Sequence, residues 1–285
     1  DSVRAYEALV AAMAVVRILG AEPVLMVPLV RCACVGIIFD TVREVMAQVT
    51  FDDTQLAWLQ RWFADVHIPD MFYNALIGER VFGIMAFKNP AMLATADEDW
   101  AREEYAVPII SAASALGLYN REWDHYFSAM EELIAGIRQP YPEAQAICDL
   151  LVDRRLIRNP PERSRRRHHH RLPLPEPSKR LYGFTRLPQT NARDQARASL
   201  GATAMAIERY RLASGRFPEA LQVLVPEYLP AVPEDPIDLQ PLRYRRDEGE
   251  CVVYSIGTNG VDDGGLASDV INEGDLTFIL HQRLD

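Results

Sequence analysis

The sequence has little cysteine and a deficit of positive charge. Its four cysteines include Cys32 and Cys34, which stand two positions apart in an apolar run. That spacing suits neither a zinc knuckle nor a redox CxxC pair, so we interpret the cysteines as small buried hydrophobic residues. Lysine and arginine number 30 against 40 aspartates and glutamates, a net charge of −10. This balance disfavours a general nucleic-acid binder.

Long apolar runs and catalytic signatures are also missing. The most apolar stretch, residues 23–39, has Arg31 in its middle; it is short and charged for a membrane span, and we predict a buried helix. The chain contains no GxSxG, HExxH, P-loop or dinucleotide-binding fingerprint, so no nucleophile and base stand in a motif with a known mechanism. The sequence begins at Asp1 rather than methionine, and we expect a signal peptide or membrane anchor upstream of residue 1.

The first half of the chain has the periodicity of helices. In the stretch TFDDTQLAWLQRWFADV, Asp52 or Asp53 can cap a helix whose apolar face includes Leu56 and Leu59. No strand pattern competes anywhere in this half. We therefore predict an all-helical domain over residues 1–156. Its further helices are expected near residues 28–48, 70–86, 97–117 and 120–137.

A basic, proline-rich segment follows, and we predict an exposed linker over residues 157–190. Residues 151–190 contain eleven Lys and Arg against three Asp and Glu. This composition cannot form a core. The cluster that begins at Arg163 and ends at Arg171 is open to three interpretations: a solvated linker, a patch for an anionic partner or lipid surface, and a metal site at its three consecutive histidines, His168 to His170.

From residue 191 the pattern changes to one long helix followed by strands. An alanine-rich helix has Asn191 as a plausible cap and Gly215 as its stop, and a short helix is predicted from Glu219 to Val223. Three strands are predicted at residues 242–246, 251–257 and 275–280. The fold class is therefore α plus α+β, with a long helix packed on a small antiparallel sheet in a domain over residues 191–285.

The stretch YSIGTNGVDDGG, residues 254–265, has three possible interpretations. Its glycines, asparagine and aspartates are ordinary turn formers. The same residues offer hard oxygen donors in a backbone that can turn its carbonyls inward, which suits calcium. Paired carboxylates such as Asp262 and Asp263 are also candidate catalytic groups.

Three motifs in order resemble the globular head of type II secretion major pseudopilins. They are AIERYRLASGRFPEALQVLV, then VPEDPIDLQPLRYR, then YSIGTNGVDDGG, and the resemblance covers about ninety residues from position 196 to the end. The whole arrangement, with its helical first half, also resembles a family of uncharacterised proteins of planctomycete-type bacteria. The equivalent pilin helix begins as a membrane-spanning segment, whereas NARDQARASLG is too polar to span a bilayer. The resemblance therefore implies a reused pilin-like module rather than a filament subunit.

The resemblance also implies a calcium site, since major pseudopilins hold this ion in the loop after the last tyrosine-bearing strand. Carried over to this chain, Asp262 or Asp263 would supply one carboxylate and Asp275 another. Backbone carbonyls of residues 256–259 would complete the shell, with Asn259 among the donors. Further oxygen donors within reach are Asp269, Asn272 and Glu273.

The expected function is that of a non-enzymatic cell-envelope protein whose calcium-stabilised pilin-like module serves scaffolding or partner recognition. Its partner would be another envelope protein, with no specific nucleic acid, and membrane contact only through an upstream anchor. The alternative is a hydrolase-type enzyme with its site in the helical domain. Candidate groups for that alternative are Glu79, Glu103, Glu104 and His125, the last in the helical stretch EWDHYF.

Overall fold

The computed structural model describes residues 2–20, 22–68, 70–89, 92, 106–118, 120–154, 177–266 and 274–282. The chain forms two compact units, the first made of residues 1–21, 26–69 and 189–285, and the second of residues 22–25 and 70–188. These limits differ from the domains expected from composition. The reason is that boundaries read from the sequence divide the chain into consecutive segments, whereas a compact unit can combine segments that are distant in the sequence.

The described chain is mostly helical, with one small sheet. The α-helices are α1 (Ser2–Ile18), α2 (Met26–Gln48), α3 (Asp53–Val66), α4 (Met71–Lys88), α5 (Ala106–Ala115), α6 (Asn120–Gly136), α7 (Tyr141–Asp153) and α8 (Leu187–Ser214). Short 3-10 segments are Pro177–Arg186 and Leu221–Leu224, and the strands are β1 (Arg243–Asp247), β2 (Glu250–Ser255) and β3 (Leu276–His281). The predicted fold class is thereby confirmed at the level of a mostly helical chain with a long helix and a small antiparallel sheet.

Local sequence signals account for several boundaries of the first unit. Asp52 caps α3 with a capping box. Its side chain accepts a hydrogen bond from the backbone N–H of Gln55, and the side-chain oxygen of Gln55 accepts one from the backbone N–H of Asp52. Gly215 has a φ of 76° and ends α8 as predicted. The start of α8 was predicted wrongly, since the helix begins at Leu187 and Asn191 lies inside it. The short helix after Gly215 is 3-10 and spans Leu221–Leu224 rather than beginning at Glu219.

The sheet is antiparallel with the order β1-β2-β3. The central strand pairs Val253 with Tyr244 on one side and with Phe278 on the other. Phe278 is fully buried, and its ring centroid lies 5.4 Å from that of Phe39 on α2. The core of this unit therefore joins the sheet to helices from both ends of the chain, with α8 close enough to α3 that a Cβ on Gly201 would lie 2.4 Å from the Phe63 ring.

The second unit contains α4 to α7 and the 3-10 segment Pro177–Arg186. Aromatic rings join α4 and α6, with Phe87 5.4 Å from Trp123 between centroids. Leu181 of the 3-10 segment is buried, so this part of the predicted linker is packed. The cluster from Arg163 to Arg171 lies outside the described residues. Within the described ranges, every helix falls short of the length and apolar character that crossing a bilayer requires.

Candidate metal-binding loop

The loop that follows β2 is tied at its start to the Asp-Pro turn before β1. Asp235 is fully buried, and its Oδ1 accepts hydrogen bonds from the Ser255 hydroxyl at 2.9 Å and the Ile237 N–H at 3.0 Å. Its Oδ2 accepts from the Ile256 N–H at 3.0 Å and from Arg243 Nη1 at 3.1 Å. A carboxylate with four donors is well satisfied in the interior, so Asp235 fixes where the loop leaves the sheet.

The two ends of the loop pass close to each other. A Cβ placed on Gly257, whose φ is 67°, would lie only 2.3 Å from the carbonyl oxygen of Gly274. This position therefore requires glycine both for its backbone angle and for the close approach. The described part of the loop comprises residues 256–266 and 274–275.

Asp275 closes the loop from the side of β3. It is 5% exposed; Oδ2 accepts from the Gly265 N–H at 2.6 Å and Oδ1 from the Asp263 N–H at 3.3 Å. Its own N–H donates to the Leu266 carbonyl at 3.0 Å. Burial raises the pKa of Asp275, and the nearby charges of Asp262 and Asp263 add to that rise although the two amide bonds oppose it. Burial is therefore the main cause of the raised pKa of Asp275, and the charges of the two neighbouring aspartates are a smaller one.

Asp262 faces towards β1 and β2. Its Oδ1 accepts from the Gly264 N–H at 2.9 Å, and its Oδ2 lies 3.6 Å from Nε of Arg243. Burial raises the pKa of Tyr254, and the carboxylate of Asp262 contributes because it favours the protonated hydroxyl. Asp262 is therefore held by a cation of the protein itself.

Three of the four predicted ligands influence one another electrostatically, since the charges of two of them act on the third. They are Asp262, Asp263 and Asp275, of which the side chain of Asp263 is exposed. Asn259 instead forms its own turn, accepting the Val261 N–H at 3.3 Å. The further predicted donors Asp269, Asn272 and Glu273 lie outside the described residues.

The donor chemistry of the loop fits calcium, since carboxylates and carbonyls in a glycine-rich backbone are hard oxygen ligands. The side chains do not, however, converge in a ready cage. Across the ranges that the structure describes, three or more His, Cys, Asp or Glu side chains are nowhere grouped so as to hold a metal ion. Binding at this loop would therefore need Asp262 to turn from its present partners.

Arg243 is the functional candidate that sequence reasoning missed. Nη1 donates to Asp235 and, at 3.1 Å, to Asp238, and Nη2 makes a very short contact with the second oxygen of Asp238. These contacts raise the pKa of Arg243 and lower that of Asp238, in each case first through the hydrogen bond between them. A sequence signal was present, because PEDPIDLQPLR places a single arginine at a strand start just after two aspartates.

Of the catalytic candidates in the helical half, Glu79 makes structural contacts. Glu79 accepts the Leu25 N–H at 3.3 Å, and its carbonyl accepts the Tyr126 hydroxyl at 3.2 Å. His125 is half-buried on α6, while Glu103 and Glu104 lie outside the described residues. A narrow crevice of this unit is lined by apolar residues and by Cys148, whose pKa burial raises to about 12. A thiol with that pKa is a poor nucleophile at neutral pH.

A second buried polar cluster lies in the first unit. Asp194 on α8 is fully buried, with Oδ2 3.6 Å from Nδ1 of His67. Burial, and then the charge of Asp194, raise the pKa of the Cys32 thiol far above its ordinary value. The guanidinium groups of Arg31 and Arg197 supply the opposing charge, which indicates charge compensation inside the core rather than thiolate chemistry.

Comparisons of the chain with protein-family models, with curated proteins and with solved structures gave no match. The resemblance of residues 196–285 to pseudopilin heads thus stays a prediction carried by three sequence motifs. What the chain does must be inferred from its own residues and their geometry.

Proposed function

We propose that this chain is a non-catalytic protein of the cell envelope whose C-terminal part is a pilin-like module used for scaffolding or for recognition of another envelope protein. The loop between β2 and β3 binds calcium and is stabilised by it. The observation that carries the proposal is the geometry of that loop: buried Asp275 accepts the N–H groups of Asp263 and Gly265, which ties its carboxylate to the segment that bears Asp262 and Asp263. A divalent cation would favour the ionised form of all three carboxylates.

Three further features support this function over hydrolysis. Asp275 and Asp235 bind backbone N–H groups of the loop and of its entry, which is the work of structural carboxylates. Glu79 likewise accepts a backbone N–H. The cysteine beside the apolar crevice, Cys148, has its pKa raised to about 12, which disfavours a thiolate mechanism there.

The test is a thermal melt of the whole chain in EDTA and then in millimolar calcium. A ligand at ten times its Kd stabilises the folded state by about 1.4 kcal/mol, which corresponds to a Tm rise of about 2–3 °C for a chain of 285 residues that unfolds as a whole. Magnesium at the same concentration should give a smaller rise, because a flexible loop of oxygens suits the larger ion better.

Two variants of the same chemical type make the melt specific. Asp263→Asn removes an exposed carboxylate of the loop and should reduce the calcium-dependent rise by at least half. Asp65→Asn removes an exposed carboxylate on α3 and should leave it unchanged. Equal Tm values of the wild type in EDTA and in calcium would defeat the metal part of the proposal, and equal rises in both variants would place the ion elsewhere.

A further inference from the structure

Buried polar atoms without a hydrogen-bond partner are concentrated in the first unit, where α2, the end of α3 and α8 pack together. Within the part of the chain that the structure describes, six buried side-chain nitrogen and oxygen atoms lack such a partner. Five of the six belong to one group of residues, Arg31, His67, Asp194 and Arg197. Because buried polar groups are normally satisfied, this concentration indicates a binding partner that the chain itself does not supply.

Asp194 is the central residue of this group. It lies on α8 and is fully buried, and neither carboxylate oxygen has a hydrogen-bond partner among the described residues. His67, the residue after α3, places its buried Nδ1 3.6 Å from Oδ2. That distance is too long for a direct hydrogen bond, and it is one at which a water molecule can bridge two polar groups.

The thiol of Cys32 lies near the same carboxylate but does not satisfy it. Burial first, and then the carboxylate of Asp194, raise the pKa of this thiol. A neutral S–H group is only a weak donor, and both oxygens of Asp194 lack a partner with the geometry of a hydrogen bond. A fully buried carboxylate that is left in this condition would be costly.

The two arginines are held away from Asp194 by other contacts. Nη1 and Nη2 of Arg31 donate to carbonyl oxygens at the ends of α1 and α3, and its Nε has no partner. Burial lowers the pKa of Arg31 and the charge of Asp194 opposes that change, so the two groups are electrostatic neighbours. Arg197 is three positions from Asp194 on α8 and packs against α2, where a Cβ on Gly36 would lie 2.8 Å from its Nη1.

The unsatisfied atoms include both donors and acceptors, and this limits what can bind them. The Nε–H groups of Arg31 and Arg197 donate, the carboxylate oxygens of Asp194 accept, and Nδ1 of His67 can do either. The guanidinium groups would repel a metal cation, and the carboxylate would repel an anion. An apolar molecule would leave every one of these atoms unsatisfied. Water is small, both donates and accepts, and typically makes about three hydrogen bonds when buried.

We propose that this cluster is an internal hydration site, in which ordered water bridges the carboxylate of Asp194 to Nδ1 of His67 and accepts from the arginine Nε–H groups. The water completes the polar contact between α2, the end of α3 and α8. It exchanges with solvent past His67, because that side chain is 21% exposed whereas Asp194 is fully buried. The site is separate from the loop between β2 and β3 and does not depend on whether that loop binds calcium.

The first test is a crystal structure of the whole chain at a resolution that shows ordered water. The expected result is a water within about 3.2 Å of a carboxylate oxygen of Asp194 and of at least one of the three unsatisfied nitrogens. Any structure in which the carboxylate has no such bridging water overturns the proposal, and so does a metal ion at about 2.0–2.6 Å from it.

The second test counts long-lived internal waters in solution by magnetic relaxation dispersion of the water signal. A chain of 285 residues is expected to hold about ten buried waters, so the site is measured as a difference between variants. Asp194→Leu removes both acceptors and should lower the count by at least one water per chain. Thr203→Val is the matched control and should keep the wild-type count. Thr203 is also a fully buried polar residue of α8, but its hydroxyl donates to the carbonyl of Ser199 at 2.7 Å.

Each outcome of the solution test decides the proposal. Equal counts in the wild type and in a native Asp194→Leu overturn it, and so does an equal loss in Thr203→Val. A loss confined to Asp194→Leu is the result expected from a hydrated carboxylate. If circular dichroism shows that Asp194→Leu is not native, the crystal structure of the wild type decides alone.

Discussion

Arg31 is expected to contribute strongly to the stability of the first unit, and its substitution tests that expectation. It lies on α2 and is 4% exposed, and Nη1 donates to the carbonyl oxygens of Val16 at 2.6 Å and of Leu19 at 3.2 Å. Nη2 donates to the carbonyl of Val66, the last residue of α3, at 2.5 Å. One guanidinium thus binds carbonyls at the C-terminal ends of α1 and α3, where helices leave such groups unpaired and carry partial negative charge.

Arg31→Met keeps the length and apolar stem of the side chain and removes all of these bonds. A hydrogen bond to a charged group contributes about 1.5–3 kcal/mol, and the burial that lowers the pKa of Arg31 opposes part of that gain. Removing the guanidinium takes this donor from the carbonyls of Leu19 and Val66, at about 1–3 kcal/mol for each buried group left unsatisfied, whereas the carbonyl of Val16 still accepts the N–H of Leu19; the sum is about 3–5 kcal/mol. We expect a loss of that size, with Arg31→Lys intermediate since a single ammonium cannot reach three carbonyls at once.

The measurement is urea unfolding followed by circular dichroism, with the slope of the transition compared between variants. Arg61→Met, at an exposed position of α3, is the matched control and should change the free energy of unfolding by less than about 0.5 kcal/mol. A loss below about 1 kcal/mol in Arg31→Met at unchanged slope would refute the assignment of these bonds as a main support of the unit.

Two further predictions test the packing and the charges. Gly201→Ala should lower the free energy of unfolding in urea by about 1–3 kcal/mol although alanine favours helices, because its Cβ would lie 2.4 Å from the Phe63 ring. The control Gly183→Ala should not lower it, since a Cβ at that position would have nothing within 4 Å. Equal losses in the two variants would contradict the close contact at Gly201. The hydrogen bonds from Arg138 lower the pKa of Asp70, so its contribution to stability is present above the unfolded pKa of about 3.9 and is lost as the pH falls through the folded value. The Tm difference between the wild type and Asp70→Asn should therefore shrink between about pH 5 and pH 2, and a difference that grows on acidification would contradict that sign.

Local chemistry made much of the secondary structure predictable. The capping box of Asp52 and Gln55, the left-handed stop at Gly215 and the apolar run of β2 each depend on residues adjacent in the chain. The three strands were placed within one or two residues of their observed bounds. The start of α8 was missed because Asn191, a good capping residue by type, is overridden by a helix that continues back to Leu187.

The candidate site was only partly predictable for a related reason. Aspartates in a glycine-rich loop are visible in the sequence, and so Asp262, Asp263 and Asp275 could be proposed as ligands from the sequence alone. The partner of Asp262 was not, because Arg243 reaches it only after β1 and β2 have paired and brought Arg243 beside Tyr254. The charge of a residue can be read from the sequence, but the charges that surround it depend on the fold.

The sequence by itself determined which segments are helices or strands, where several of them stop, and that the region after β2 collects oxygen donors. These properties arise from contacts within a few residues, where side-chain shape and backbone preference act directly. Only the tertiary structure decided that α1, α2 and α3 join the C-terminal sheet in one unit, as the bond from Arg43 to the carbonyl of Thr277 shows across 234 positions. It also decided that Arg31, a charge within an apolar run, lies buried against helix ends. Both outcomes depend on which surfaces exclude water together, and that is a property of the folded chain rather than of any segment in it.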